Sequence, residues 1–197
     1  MNEEQKKMRP AKTGQLLPGI FALNNEFVSF FLMKGVSGYV AIDSGADNDQ
    51  TESALAELGI TKDSVKAVLL THDHGDHTEG LELFEGAKVY AVNTAAAGKN
   101  PSQKIASGES LDVDGLKVEV IASVGHKADS VCFLISGQYL FVGDNMSIKD
   151  GKADLFNSVY NRSDEQQQKD IQELAKVPGV THVFTSHYGF ADRSVFG

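Results

Sequence analysis

The sequence is poor in cysteine, in basic charge and in long apolar runs. Of its 197 residues only Cys132 is a cysteine, which excludes an internal disulfide framework and suits a reducing compartment. Eighteen Lys and Arg stand against 27 Asp and Glu, a formal net charge of −9. Nucleic acid and anionic membranes select a basic surface, which this balance does not supply. No apolar stretch approaches the roughly 20 residues that span a bilayer, and the opening MNEEQKKMRP lacks the apolar segment of a secretion signal. The expectation is a cytoplasmic protein with a small-molecule partner, its association state left open. Repeats, low-complexity tracts and linkers are missing as well, so residues 1–197 read as one domain. Lys6, Lys7, Arg9 and Lys12 share the first residues with Glu3 and Glu4, and this stretch reads as a frayed, solvated terminus.

What is present is an ordinary globular composition, 41% hydrophobic against 23% charged. A core of this size buries about 70% of the unfolded surface, so a bound metal is not needed merely to hold the chain folded. Short runs rich in β-branched and aromatic residues predict strands at 19–23, 27–33, 39–42, 67–71, 88–92, 116–121, 131–135, 138–142 and 181–185. Helical patterns intervene at 49–58, closed by Gly59, at 77–84, and at 164–176 behind a Ser163/Gln166 capping pair. Strands followed by strands, then strands mixed with helices, suggest helices packed outside two stacked sheets.

Five of the six histidines fall just after a predicted strand. The run KAVLL leads into THDHGDHTEG, which delivers His72, His74, Asp76 and His77 within six residues. Alternate positions His72 and His74 can point one way, while Gly75 lets the backbone turn so that Asp76 and His77 approach from another. The pattern repeats in VEVIASVGH at His126, in YLFVGD at Asp144 and in THVFTSH at His187. Rigid strands would thus hold loops that converge on one rim. Imidazole and carboxylate without thiolate suit zinc, iron or manganese, and seven groups suffice for two ions sharing one carboxylate. A purely structural zinc site is the bland alternative, disfavoured because such sites are typically cysteine-rich. His182 lies inside its strand and reads as an ordinary strand histidine.

These residues resemble the metallo-β-lactamase-fold hydrolases over nearly the whole chain. The HxHxDH motif of that family stands here as His72, His74, Asp76 and His77, with His126, Asp144 and His187 at its later ligand positions. The resemblance implies an α+β fold, an αββα sandwich of two mixed sheets with helices on the outer faces. It also implies that His72, His74 and His126 bind one metal, Asp76, His77 and His187 a second, and Asp144 both. Asp43 in YVAIDSGAD matches an aspartate-glycine turn of the family; it is a candidate to support the ligands from behind, or else a turn aspartate capping the next helix.

Departures from the pattern narrow the kind of member. Cysteine-ligated zinc β-lactamases do not match, because His77 and Asp144 fill those positions. A glyoxalase II-like member is expected, short and without the glutathione-binding C-terminal domain, with LFNSVYNR after the bridging aspartate and GHKADS placing Lys127 and Asp129 near the rim. Two cations about 3.5 to 4 Å apart can share and activate a water. The expected reaction is therefore hydrolysis of an ester, thioester, lactone or related bond, with Asp76 orienting the water and zinc the default ion. Lys149, Lys152, Asn157, Tyr160, Arg162 and Tyr188 are candidate substrate contacts. The alternatives are a mononuclear iron persulfide dioxygenase of the same fold, or a phosphodiesterase or nuclease.

Overall fold

The computed structural model describes all 197 residues. The first sheet contains β1 (Gly14–Leu17), β2 (Ile20–Asn25), β3 (Val28–Lys34), β4 (Tyr39–Ile42), β5 (Val65–Leu69), β6 (Lys88–Ala91) and β7 (Ser102–Lys104), in that spatial order. Its first four strands are antiparallel neighbours, and β4 to β7 are parallel. In the second sheet β8 (Ser110–Val113), β9 (Leu116–Ala122), β10 (Val131–Ile135) and β11 (Tyr139–Gly143) are joined by β14 (His182–Thr185) and β15 (Phe190–Asp192) in the order β15-β14-β11-β10-β9-β8. A two-stranded ribbon, β12 (Ser147–Lys149) and β13 (Lys152–Asp154), stands apart. The helices are α1 (Asn48–Glu57), a single turn α2 (Gly75–Thr78) and α3 (Asp164–Leu174).

Side-chain alternation explains the layers. In β3, Phe31 and Met33 face the second sheet, where they share a core with Phe133, Phe141 and Phe184. Phe30 and Leu32 point the other way, onto Ala54 and Leu55 of α1 and onto Phe84. In β10, Val131, Phe133 and Ile135 enter the shared core, while Cys132 and Leu134 pack under Ile171 and Leu174 of α3. Both strands are apolar along their length because both faces are covered. The αββα sandwich expected from the sequence is the fold found. No helix is long and apolar enough to cross a membrane.

Three expectations change. The periodic stretch 77–84 is not one α-helix: α2 stops at Thr78 and a 3₁₀ segment covers Glu79–Phe84. Within it Gly80 approaches the Ser44 carbonyl too closely for any side chain, so the backbone follows the loop beside it and abandons the helical path. At α3, Ser163 Oγ does accept from the Gln166 amide (3.2 Å), but the Gln166 side chain turns forward to Asp170 (2.8 Å), so the cap is one-sided. The N-terminus is not frayed. A 3₁₀ turn at Gln5–Lys7 is followed by Met8, which is 6% exposed, and by the Arg9 amide, which donates to the His187 carbonyl at 2.8 Å. The buried Met8 side chain and the Arg9 amide dock it.

Candidate metal centre

The C-terminal ends of β4, β5, β9, β11 and β14 meet along one rim. The parallel pairs β4/β5 and β11/β14 bring the loops after them side by side. The sheets are tied there by the Val131 amide to the Thr71 carbonyl (2.9 Å) and the Ser29 amide to the Ser186 carbonyl (2.7 Å). Onto this rim fall all seven residues singled out by spacing.

Their donor atoms form two groups, each within 4.8 Å: His72, His74, His126 and Asp144, and Asp76, His77 and His187. In the first, His74 Nδ1 lies 3.0 Å from His72 Nε2 and 3.1 Å from His126 Nε2, while Asp144 Oδ2 lies 3.5 Å from His126 Nε2 and 3.9 Å from His72 Nε2. In the second, His187 Nε2 lies 3.3 Å from Asp76 Oδ2 and 3.2 Å from Asp144 Oδ1, and His77 Nε2 lies 3.4 Å from Asp144 Oδ1. Ligands 2.0–2.1 Å from one tetrahedral cation stand about 3.3 Å apart. Asp144 therefore presents one oxygen to each group.

Four histidines are aimed by what holds their far nitrogen. His187 Nδ1 donates to the Phe27 carbonyl (2.7 Å), and His126 Nδ1 to Asn161 Oδ1 (3.2 Å). His77 Nδ1 lies 2.8 Å from Asp43 Oδ2. The single proton of the Thr71 hydroxyl goes to Asp43 (2.9 Å), so Thr71 Oγ1 accepts from His72 Nδ1 at 3.0 Å. With each proton fixed on Nδ1, each Nε2 is left to ligate. His74, half-buried, is the exception and offers Nδ1.

The buried carboxylates and histidines set one another's charge. Burial opposes ionisation of Asp144, yet the charges of His187 and His77 outweigh it and hold the carboxyl well below its usual range. Burial disfavours a charged His77, but Asp144, Asp43 and Asp76 carry it well above its usual value. Burial, joined by the charge of His77, pushes His72 well below. His77 Nε2 and Asp144 Oδ1 are buried without a hydrogen-bond partner. Orphaned polar atoms facing each other in the interior are costly, and a shared cation relieves both. The residues fit the metal that the sequence implied.

Asp43 is buried and caps no helix; Asp47 does that, accepting from the Gln50 amide at 2.9 Å. Asp43 instead sits at φ 63° and takes the Thr71 amide at 2.8 Å in addition to the Thr71 hydroxyl and His77. The substrate candidates scatter. Tyr160 lines the cleft over the centre. Asn157 donates to Glu4 (2.8 Å), Tyr188 packs edge-on against Phe156 with burial raising its phenol, and Arg162 is exposed. Lys149 and Lys152 lie on the β12/β13 ribbon, where Lys149 binds the Leu155 carbonyl (2.9 Å) and pairs with Asp154 (3.2 Å). Lys127 pairs with Asp73 and lies 3.6 Å from Asp129.

Other contributors gave no motif. Phe156 packs against His126 and His187, with ring centroids 5.3 and 5.4 Å away. Gln167 of α3, fully buried, donates to the Asp144 carbonyl (3.1 Å) and to Asn161 Oδ1 (3.0 Å), and accepts from the Phe156 amide (2.8 Å) and Asn161 Nδ2 (2.9 Å). Its signal was a polar residue on the same helical face as Ile171 and Leu174.

Known proteins share this frame. A metallo-β-lactamase from Pontibacter korlensis superposes with a TM-score of 0.75 over 93% of this chain and 94% of its own, at 23% identity. The chain shares the metallo-β-lactamase fold. It is 30% identical over 172 residues to hydroxyacylglutathione hydrolase of Shewanella halifaxensis, covering 84% of this chain and 63% of the relative. It is 29% identical over 147 residues to atrochrysone carboxyl ACP thioesterase of Aspergillus terreus, covering 67% of this chain and 45% of the relative. The chain thus spans about half to three fifths of the curated relatives it matches. The family description "Anti-Pycsar protein Apyc1" matches residues 20–97, less than half of the chain.

Proposed function

We propose that the chain is a dinuclear metal-dependent hydrolase of small-molecule esters or thioesters. The observation that carries this reading is the pair of histidine groups facing opposite oxygens of the one Asp144 carboxylate, 3.5 Å from His126 on one side and 3.2 Å from His187 on the other. His72, His74, His126 and Asp144 would hold the first ion, and Asp76, His77, His187 and Asp144 the second. Zinc is the default by ligand type, with manganese or iron as alternatives. When bound, the pair supplies Lewis acidity that lowers the pKa of water and polarises a carbonyl.

The protein's own part is positioning. Asp76, half-buried on the floor of a cleft of about 470 Å³, accepts a hydrogen bond from the attacking water and turns its oxygen towards the carbonyl carbon. The carbon–sulfur or carbon–oxygen bond then breaks, and the products are a carboxylic acid and a thiol or alcohol. Phe156 and Phe27 pack beside His187 and keep bulk water off the ligands, which strengthens the electrostatic contacts inside. Relatives named for thioester hydrolysis support that bond class for this chain.

Elemental analysis of protein purified without added metal, followed by a panel of thioesters, esters, lactones and phosphodiesters, tests the reading. Two zinc or manganese ions per chain with turnover of the acyl substrates is the expected result. One iron per chain and oxygen consumption with persulfide would overturn it.

A further inference from the structure

The cleft over the metal centre has a wall that comes from outside the metal-binding loops. Gln5 and Met8 line it together with Phe27, Phe156 and Tyr160. Three bonds pin this stretch: Asn2 Nδ2 donates to the Tyr160 hydroxyl (3.0 Å), Asn157 Nδ2 to Glu4 Oε2 (2.8 Å), and the Arg9 amide to the His187 carbonyl (2.8 Å). The last reaches the backbone of a ligand residue. We infer that the N-terminal segment is a substrate-selecting wall of the cleft, admitting an uncharged apolar acyl group and excluding an anionic one. This rests on the hydrolase reading.

Charge and surface both point this way. No lysine or arginine lines the cleft; apart from histidines and the Tyr160 phenol its ionisable groups are the carboxylates of Asp76, Glu79 and Asp144. The cations nearby are committed elsewhere. Lys7 pairs with Glu4 at 2.7 Å, and the Arg9 guanidinium donates to the Lys6 and Met8 carbonyls at 2.8 and 2.6 Å. An acyl tail leaving the metal centre therefore runs along the Met8 thioether and the Phe156 and Tyr160 rings, a soft and adaptable apolar surface. A carboxylate on that tail, running away from the metal ligands, would lose its water there, find no lysine or arginine and meet Glu79.

The test pairs hexanoyl with adipoyl thioesters of one small thiol, two chains of similar length that differ by a terminal carboxylate. The uncharged substrate should be favoured in kcat/KM by at least about tenfold. Met8→Lys, and independently Gln5→Lys in case the first variant folds poorly, should each shrink that ratio severalfold by supplying a counter-charge, at unchanged metal content. A second readout uses methyl-labelled methionine NMR on the full chain, with the Met8 signal assigned by its loss in Met8→Leu. Hexanamide should shift that signal and adipic acid monoamide should not. A flat substrate ratio, or equal shifts with both amides, would overturn the inference even with the hydrolase reading intact. Selective shifts without turnover of either thioester would sustain the wall and remove the hydrolase reading.

Discussion

Asp43 Oδ2 stands 2.8 Å from Nδ1 of His77, 34 positions along the chain, and the same carboxylate takes the Thr71 amide and hydroxyl. One buried anion thus orients a histidine of the second ion group directly and His72 of the first through Thr71. Asn at position 43 keeps the shape but turns one acceptor into a donor facing donors. Asp43→Asn should weaken metal affinity by about 10- to 100-fold, most at the position served by His77. Titration with a metallochromic chelator checks it, and unchanged affinity at both positions would remove Asp43 from the site.

Gln167 reaches the centre by two routes: its amide holds the Asp144 carbonyl, and Asn161 relays it to His126 Nδ1. Gln167→Ala leaves the Phe156 amide and the Asp144 carbonyl without partners in the interior, a cost of about 1–3 kcal/mol for each group left so. Asn161→Ala releases His126 more directly. Both variants should lose affinity at the position built from His72, His74 and His126 before the other, seen as an altered visible spectrum of the cobalt-substituted protein. Two variants with the wild-type spectrum would show that the relay does not orient His126.

The difference between what the sequence disclosed and what it concealed follows from these contacts. His72, His74, Asp76, His77, His126, Asp144 and His187 were legible because each follows an apolar strand at a spacing that alternation or a glycine turn explains. The strands buried on both faces, β3 and β10, were legible as unbroken apolar runs. Gln167, Asn161 and Phe156 act on ligands that lie far from them in the chain, and a polar partner across such a separation leaves no periodic trace. Strands of three or four residues with polar content, such as β7 and β13, fell below any pattern. Met8 was masked by the charges around it, although its buried side chain joins three hydrogen bonds in docking the segment.

Gly143, the last residue of β11, has φ 57°, and a Cβ there would stand 2.6 Å from Thr71 Oγ1 and 2.9 Å from Thr71 Cβ. The hydroxyl cannot retreat without releasing Asp43 or His72. Gly143→Ala should therefore combine left-handed strain of about 1–2 kcal/mol with a displaced Thr71, lowering stability and metal affinity together. Urea unfolding of the metal-free protein isolates the first effect. Loss of affinity with wild-type stability would mean that the turn relaxes and only Thr71 moves.

Cys132 lies under α3, fully buried, and burial pushes its thiol up to about 12. A thiol that stays protonated is a poor nucleophile, so native protein should resist alkylating reagents at pH 8 and react on unfolding. The linkage has a definite sign. The unfolded chain releases this proton near 9 and the folded chain near 12, so the unfolded state binds fewer protons across that window. Stability should fall there as pH rises, by up to about 1.4 kcal/mol per pH unit from this group alone. Below 9 the thiol is neutral in both states and contributes no slope. Lysines and tyrosines titrate in the same range, so the measurement is the difference between wild type and Cys132→Ala in urea unfolding from pH 8 to 11. The difference should change with pH above 9 in favour of the variant; parallel curves would mean that the thiol ionises equally in both states, against its burial in the core.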